Sequence, residues 1–541
     1  MEERRKKQVF NPYLPLGEYI PDGEPHVFGD RVYVFGSHDM EGGTTFCMLD
    51  YVTYSAPVED LTDWRYEGVI YRADQDPQYG TEVPWFNHVE ENTAASALSS
   101  NTNTLRFMYA PDVVQGPDGR FYLYYAMGGD YGVGGYTCPI SVAAADSPAG
   151  PYEFLGFVRN PDGTPMKRYI CFDPAVLNDN GTIRLYYGTQ YDYEERPGFT
   201  KDSEYMRQEV GMFNLTPEEI LSYPDSIMGP VTVTLQPDML TIADEPRHII
   251  PYRVKGTSFE EHPFFEASSM RKMGEKYYFV YSSMQNHELC YATSDYPDRD
   301  FTFGGTIVSN GDVGYLGRSS EERLNMTGTT HGSITEINGQ WYVFYHRLTH
   351  KSDYSRQACA EKIEILPDGR IKQVEITSCG LNPGPLEGKG EYPAAICCNL
   401  TNGHMPHGSN RIYDFSFPNV NHRVSADGET VERFIDEICD GTLIGYKYFD
   451  FRQVSRLRVK AEAETEGSFE VRIDMEGPAV GTIGLHPTGP TVDGNGNSSD
   501  GSAEGVWKEF EGEVQIPDGI HALYLIYHGE GLARLLSFEI E

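Results

Sequence analysis

With 541 residues the chain is longer than one hydrophobic core usually supports, so two domains are expected. Against 43 Lys and Arg it carries 81 Asp and Glu, a formal charge of −38. Such a polyanion repels phosphate backbones and anionic membranes, which disfavours nucleic-acid and membrane partners and leaves neutral or cationic ligands open.

The first residues, Met1-Glu-Glu-Arg-Arg-Lys-Lys7, are basic but no apolar segment follows them, and no run of eighteen apolar residues occurs anywhere. Nine cysteines, an odd number without Cys-x-x-Cys spacing, read as mostly reduced thiols. Both features lead to the expectation of a cytoplasmic protein.

Up to Leu381, short strands alternate with Gly, Pro, Asn and Asp turns. Five strands are strongly aromatic: Arg31–Ser37, Arg120–Ala126, Ile183–Thr189, Tyr277–Ser283 and Trp341–Arg347. Their turns carry Gly29, Gly119, Gly181, Gly274 and Gly339, and seven or eight residues ahead of these glycines stand Asp22, Asp112, Asp173, Glu266 and His331. Nearly continuous apolar strands suit sheets covered on both faces, as when blades pack around a ring. A repeat that returns a carboxylate or imidazole to one place predicts an all-β fold: a five-bladed β-propeller over 8–381, converging on a polar centre. The glycine intervals are uneven, at 90, 62, 93 and 65 residues, so inserted loops are expected at 74–105 and 190–262. The one persuasive helical start is Thr216-Pro-Glu-Glu-Ile220, with a Thr cap and Pro in the first helical position.

The Pro/Gly-rich stretch from Asn382 reads as a linker over 382–392. Beyond it, short alternating runs such as Arg456-Leu-Arg-Val-Lys-Ala461 and Ala522-Leu-Tyr-Leu-Ile-Tyr527 predict a β-sandwich, jelly-roll-like, over 393–541.

Acids at the inner ends of blades would crowd around a central channel, where like charges and burial raise one pKa beside a carboxylate that stays ionised. Glycoside hydrolysis uses such a pair. Asp22, between Pro21 and Gly23, and Asp173, before Pro174, would each pass for a turn former, and only the shared register sets them apart. Glu266, after two Phe, is costly to bury without purpose.

The segments Tyr19–Ser37, Tyr109-Ala-Pro-Asp112, Phe172-Asp173-Pro-Ala175, Phe265-Glu266-Ala-Ser-Ser-Met-Arg-Lys272 and Thr330-His331 through Arg347 together resemble glycoside hydrolase family 43, a likeness spanning roughly residues 10–375. The resemblance implies inverting release of terminal α-L-arabinofuranose or β-D-xylose from hemicellulose oligosaccharides or polysaccharides. By motif, Asp22 would be the general base, Glu266 the general acid, and Asp173 the group that tunes the acid and orients the sugar. It further implies calcium or another cation in the channel near His331, and no organic cofactor. Arg347 matches an arginine that contacts sugar hydroxyls. Tyr109 stands where many members carry Trp, Asp112 supports the site, and His38 and Trp85, with Phe86 and His88, are candidate pocket residues. The C-terminal runs Ile444–Phe451 and His521–Tyr527 look like a carbohydrate-binding module of family 6, with Tyr446 or Trp507 as sugar-stacking rings. Two rivals remain: a non-catalytic sugar-binding propeller, and a five-bladed fructoside hydrolase that retains configuration.

Overall fold

A computed structural model describes residues 7–81, 107–128, 139–190, 215–223, 225–408, 411–424, 430–489 and 507–541, with Met206, Glu209, Val210 and Phe213 between them. Its first part is a ring of five antiparallel sheets whose strands follow chain order. Blade I takes Glu24–Phe28, Arg31–Phe35, Tyr51–Pro57 and Arg65–Tyr71. Blade II takes Phe107–Gln115, Phe121–Gly128, Ser141–Ala145 and Glu153–Phe157. Blade III takes Ala175–Asp179, Thr182–Tyr187, Val231–Leu235 and Arg247–His248. Blade IV takes Phe264–Met273, Lys276–Ser283, Glu288–Ser294 and Thr302–Ser309, and blade V takes Ser333–Ile337, Gln340–Leu348 and Arg356–Lys362. The first strands neighbour one another around the ring, which closes through a parallel bridge between Gly23 and Gly332.

Blade V has three strands, and the N-terminal segment takes the fourth place. Tyr13 N–H donates to Ala358 O at 3.1 Å, and the Asn11 amide exchanges bonds with Ala360 at 2.9 and 3.0 Å. Both ends of the propeller chain therefore meet in one sheet, which leaves that edge paired.

The turn glycines have a common cause. Gly29, Gly119, Gly181, Gly274 and Gly339 have φ of 66, 84, 91, 61 and 81°, a left-handed conformation that glycine alone enters freely. Each joins a first strand to the aromatic second strand of its blade. Those second strands are buried between neighbouring blades, and their phenols find partners: Tyr124 donates to Met239 O at 2.7 Å and Tyr281 to His262 O at 2.8 Å.

Two sequence expectations shift. Val231–Leu235 and Arg247–His248 lie inside the stretch 190–262 expected to be an insertion, yet they are the outer strands of blade III. The expected insertion at 74–105 falls mostly outside the described residues. The helix Pro217–Leu221 forms as expected, with a capping box between Thr216 and Glu219.

The second part is a sandwich of two six-stranded sheets. Leu386–Gly388 pairs with Phe449–Phe451, and Gly390–Pro393 with Ser537–Ile540, so the stretch expected as a linker already supplies strands to both sheets. Tyr446, expected as a sugar platform, is fully buried in the sandwich core, and its hydroxyl donates to Ala394 O at 3.1 Å. Trp507 packs edge-on against Phe434 under the Arg423 guanidinium, and its indole N–H donates to Glu432 at 2.7 Å. Neither ring is a free stacking surface. Among the described residues no helix is long and apolar enough to cross a membrane.

Candidate active site

Asp22, Asp173 and His331 each stand just before the first strand of their blade, and Glu266 lies within the first strand of blade IV. The backbone aims them by unusual means. Asp22 and Asp173 adopt left-handed φ of 59 and 44°, and Ala267, next to Glu266, adopts 69°. Register shifts flank Glu266 on both sides, between Phe264 and Glu266 and between Glu266 and Ser269. Such bulges turn a side chain that a regular strand would point elsewhere, and strain of this kind gathers at working sites. Gln190 N–H and the Thr189 hydroxyl, both from blade III, donate to Phe265 O at 2.6 and 3.2 Å and hold the strand in place. At Gly332, a Cβ would meet Phe344 O at 1.9 Å, so only glycine lets the chain pass and seat His331.

The structure thus brings Asp22, Asp173, Glu266 and His331 together. His331 Nδ1 lies 3.7 Å from Asp22 Oδ1 and 3.6 Å from Asp173 Oδ2. The Ala267 N–H donates to Asp173 at 3.2 Å. Arg356 Nη1 donates to both oxygens of Asp22 at 2.9 and 3.1 Å, while the rest of its guanidinium grips Asp39 at 2.8 and 3.0 Å. The Asp22 N–H donates to His346 Nδ1 at 3.2 Å, which leaves the ring proton on Nε2, facing Thr329 Oγ1.

This surrounding separates the acids electrically. Burial pushes the Asp22 carboxyl up, but the Arg356 guanidinium wins and holds it well below the usual carboxylate range. Glu266 is raised to about 7, first by burial and then by the Asp22 charge. Asp173 also moves well above its ordinary value, by burial and by the charges of Glu266 and Asp22. His331, lowered by burial to about 4, is neutral at pH 7. One ionised carboxylate therefore faces a carboxyl that keeps its proton up to about pH 7, which is the pairing that acid–base cleavage of a glycosidic bond needs.

The other expected site residues divide. Tyr109 lies against Phe172, ring centroids 5.5 Å apart, in a buried apolar cluster with Phe46 and Tyr354. Phe46 lies beneath Arg356, 4.6 Å from ring centre to guanidinium carbon, so this apolar cluster borders the Asp22–Arg356 pair. Asp112 is a brace: its Oδ1 meets His26 Nε2 at 2.6 Å, its Oδ2 accepts from Val176 N–H at 2.8 Å, and it joins blades I, II and III. His38 has both nitrogens engaged, with Asp50 O at 2.7 Å and Glu18 at 2.8 Å, so it locks a loop and presents no free edge to a sugar. Arg347 turns away and donates to Cys397 O and Cys398 O at the start of the sandwich, at 2.8 and 3.3 Å. Its neighbour His346 and the cross-strand Arg356 take the channel side instead, because alternate residues of a strand face opposite ways. Trp85, Phe86 and His88 lie outside the described residues.

Below the acids, Glu24, His26 and Asp112 form one of the groups able to hold an ion. Glu24 Oε2 accepts from Arg271 at 2.5 Å and from the Ser269 hydroxyl at 3.2 Å, and Ser269 meets Ser333 at 2.7 Å. Glu24 Oε1 is buried without a hydrogen-bond partner. The orphaned Glu24 oxygen, Asp112 and the His26 imidazole together offer ligands to a cation, with the Arg271 guanidinium on the other Glu24 oxygen. His331 itself belongs to none of the three-ligand groups among the described residues.

No protein-family model matches the chain. A xylosidase/arabinosidase of Thermoclostridium stercorarium is 41% identical over 550 residues, covering 99% of this chain and 99% of its own length. A xylosidase/arabinosidase of Bacteroides ovatus is 29% identical over 378 residues, 67% of this chain and 97% of its own. Among solved structures, a glycoside hydrolase family 43 arabinoxylan arabinofuranohydrolase from Bacillus subtilis, in complex with cellotetraose, is 20% identical. It covers 97% of this chain and 96% of its own, with a TM-score of 0.44. On the strength of its full-length relative, the chain belongs to the xylosidase/arabinosidases of glycoside hydrolase family 43 and is a glycosidase.

Proposed function

We propose that this glycosidase releases terminal α-L-arabinofuranose and β-D-xylose from hemicellulose-derived oligosaccharides, with inversion at the anomeric carbon. The observation that carries the reading is the split between Asp22, kept ionised by Arg356, and Glu266, raised to about 7. Asp22 takes a proton from a water that attacks the anomeric carbon, while Glu266 gives its proton to the departing glycosidic oxygen. Asp173, itself raised and beside both, keeps negative charge from accumulating near Glu266 and faces the sugar. Tyr109, Phe172 and Phe46 supply the apolar wall. Names of full-length and partial relatives that pair xylosidase with arabinosidase support a site accepting both pentoses.

Release of p-nitrophenol from both the arabinofuranoside and the xyloside is the expected result, and proton NMR of the first-formed sugar should show the opposite anomer. A retained anomer would instead favour an aspartate nucleophile, as in the fructoside hydrolases. No turnover on any aryl glycoside would leave a sugar-binding propeller. The rate kcat/KM should fall as pH rises through about 7, where Glu266 loses its proton, and stay level toward acid because Asp22 remains charged.

A cation in the channel would be held by Glu24, His26 and Asp112 and would supply a fixed positive charge near the acids. Metal analysis after dialysis should find it, and added calcium should raise the thermal midpoint of chelated protein. A midpoint indifferent to calcium would remove the ion from this account. Cys47, Cys290, Cys359, Cys379, Cys397, Cys398 and Cys439 are free thiols, which supports the reading of a reducing, cytoplasmic setting.

A further inference from the structure

The sandwich reaches the catalytic centre through one propeller loop. Asp39, fully buried, receives the backbone N–H and two guanidinium nitrogens of Arg356, and is itself tied by Cys47 N–H at 2.9 Å. Two residues further along the same loop, Glu41 is gripped from the sandwich. Arg433, on the strand Val431–Ile438, forks onto both Glu41 oxygens at 2.9 and 2.8 Å, and Tyr19 donates its hydroxyl to the same carboxylate at 2.6 Å. Gly42 N–H then bonds the Ser355 hydroxyl at 3.1 Å, the residue next to Arg356. On the far side, sandwich backbone grips the segment that carries Arg356: Val420 N–H donates to Thr349 O at 2.8 Å and Tyr413 N–H to Lys351 O at 3.2 Å.

We propose that Arg433 is a positioning residue for the propeller's chemistry: by fixing Glu41 it holds the loop that keeps Asp39 and Arg356 seated against Asp22. The sandwich is then a working part of the hydrolase, in addition to any sugar contact it makes. A bidentate fork fixes both position and angle, which a single ion pair does not. Arg356 is shared between Asp39 and Asp22, so a shift of Asp39 moves the guanidinium off the base. Asp22 also faces His346 and His331 from blade V, Asp173 from blade III and Glu266 from blade IV, while Glu41 faces Tyr19, His350, His422 and Arg433. Of these, only Arg433 and His422 come from the sandwich.

The inference rests on Asp22 as general base, and the experiment keeps the two apart. Full-length Arg433→Met and the isosteric Glu41→Gln are measured against wild type and Asp22→Asn. Each of the first two should lower kcat by up to roughly 100-fold, with a smaller effect on KM, because misplacement by about an ångström costs that much. Each should also bring an acid limb of kcat/KM into view, rising toward the ordinary carboxylate range of about 4 as Arg356 leaves Asp22. The double variant should be no worse than either single one, since both break the same link, and Arg433→Lys should recover part of the rate. Wild-type kcat and pH profile in both single variants, beside an inactive Asp22→Asn, would overturn the positioning role alone. So would losses that simply add in the double variant, or a rate that falls only in proportion to unfolded protein. An active Asp22→Asn would instead overturn the base assignment on which this stands.

Discussion

Glu266→Gln should lose about 10²–10⁴-fold or more in turnover on substrates with poor leaving groups, and Asp22→Asn should lose as much on every substrate. The two losses differ in kind. A glutamine cannot protonate the glycosidic oxygen, so the deficit shrinks when the leaving group departs unaided, as a dinitrophenolate does. An asparagine cannot take the proton of the attacking water, and no leaving group repairs that. Comparing kcat/KM on aryl glycosides of graded leaving-group pKa therefore separates the roles. Folding should survive both changes. Burial and the Asp22 charge already favour the neutral form of Glu266, so glutamine removes little that the fold relied on. In Asp22→Asn, Arg356 keeps its bonds to Asp39. Wild-type rates in either variant would reject the role given to that residue.

Arg356→Met should be the most damaging single change to both stability and rate. The guanidinium is the counter-charge for two buried carboxylates, Asp22 and Asp39. Removing one partner of a buried ion network costs on the order of 3–5 kcal/mol, because charges are left buried and unpaired. The pH dependence of stability should change with it. In the wild type Asp22 has a depressed pKa, so its contribution is complete above the ordinary carboxylate range and is lost only as pH falls through the lowered value. Without Arg356, burial favours the protonated form, so the variant should be stabilised on acidification and lose that stability as pH rises. Arg356→Lys should fall between, since one ammonium cannot span both carboxylates as the fork does. Thermal midpoints recorded across pH test this. A flat difference between variant and wild type would mean the guanidinium does not set the charge of Asp22.

The sandwich illustrates how an apolar pattern misleads about surface chemistry. Tyr446 stands in a run that suits a sugar-binding sheet and Trp507 is the other candidate ring, yet the first fills the core and the second is covered by Phe434 and Arg423. Alternation says which residues share a face. It does not say which face is covered, and in a two-sheet domain one face always is.

What could be read without coordinates was whatever the backbone imposes locally. Five left-handed turns demand five glycines, and an offset of seven or eight residues from each places Asp22, Asp112, Asp173, Glu266 and His331 near the inner ends of the blades. The helix cap at Thr216 is local in the same sense. What needed the tertiary structure was the phase of strands buried on both faces and the pairing of residues far apart in sequence. His346 and Arg347 are adjacent and both buried, and only packing sends the first to Asp22 and the second to the sandwich. Arg356 meets Asp22 across 334 residues of chain, and Asp112 becomes a brace because blades I and III close on it. Glu41 and Arg433 belong to different domains, so no local signal could join them. Local rules act over a turn or a strand, whereas the charge on a catalytic acid depends on everything that excludes water around it.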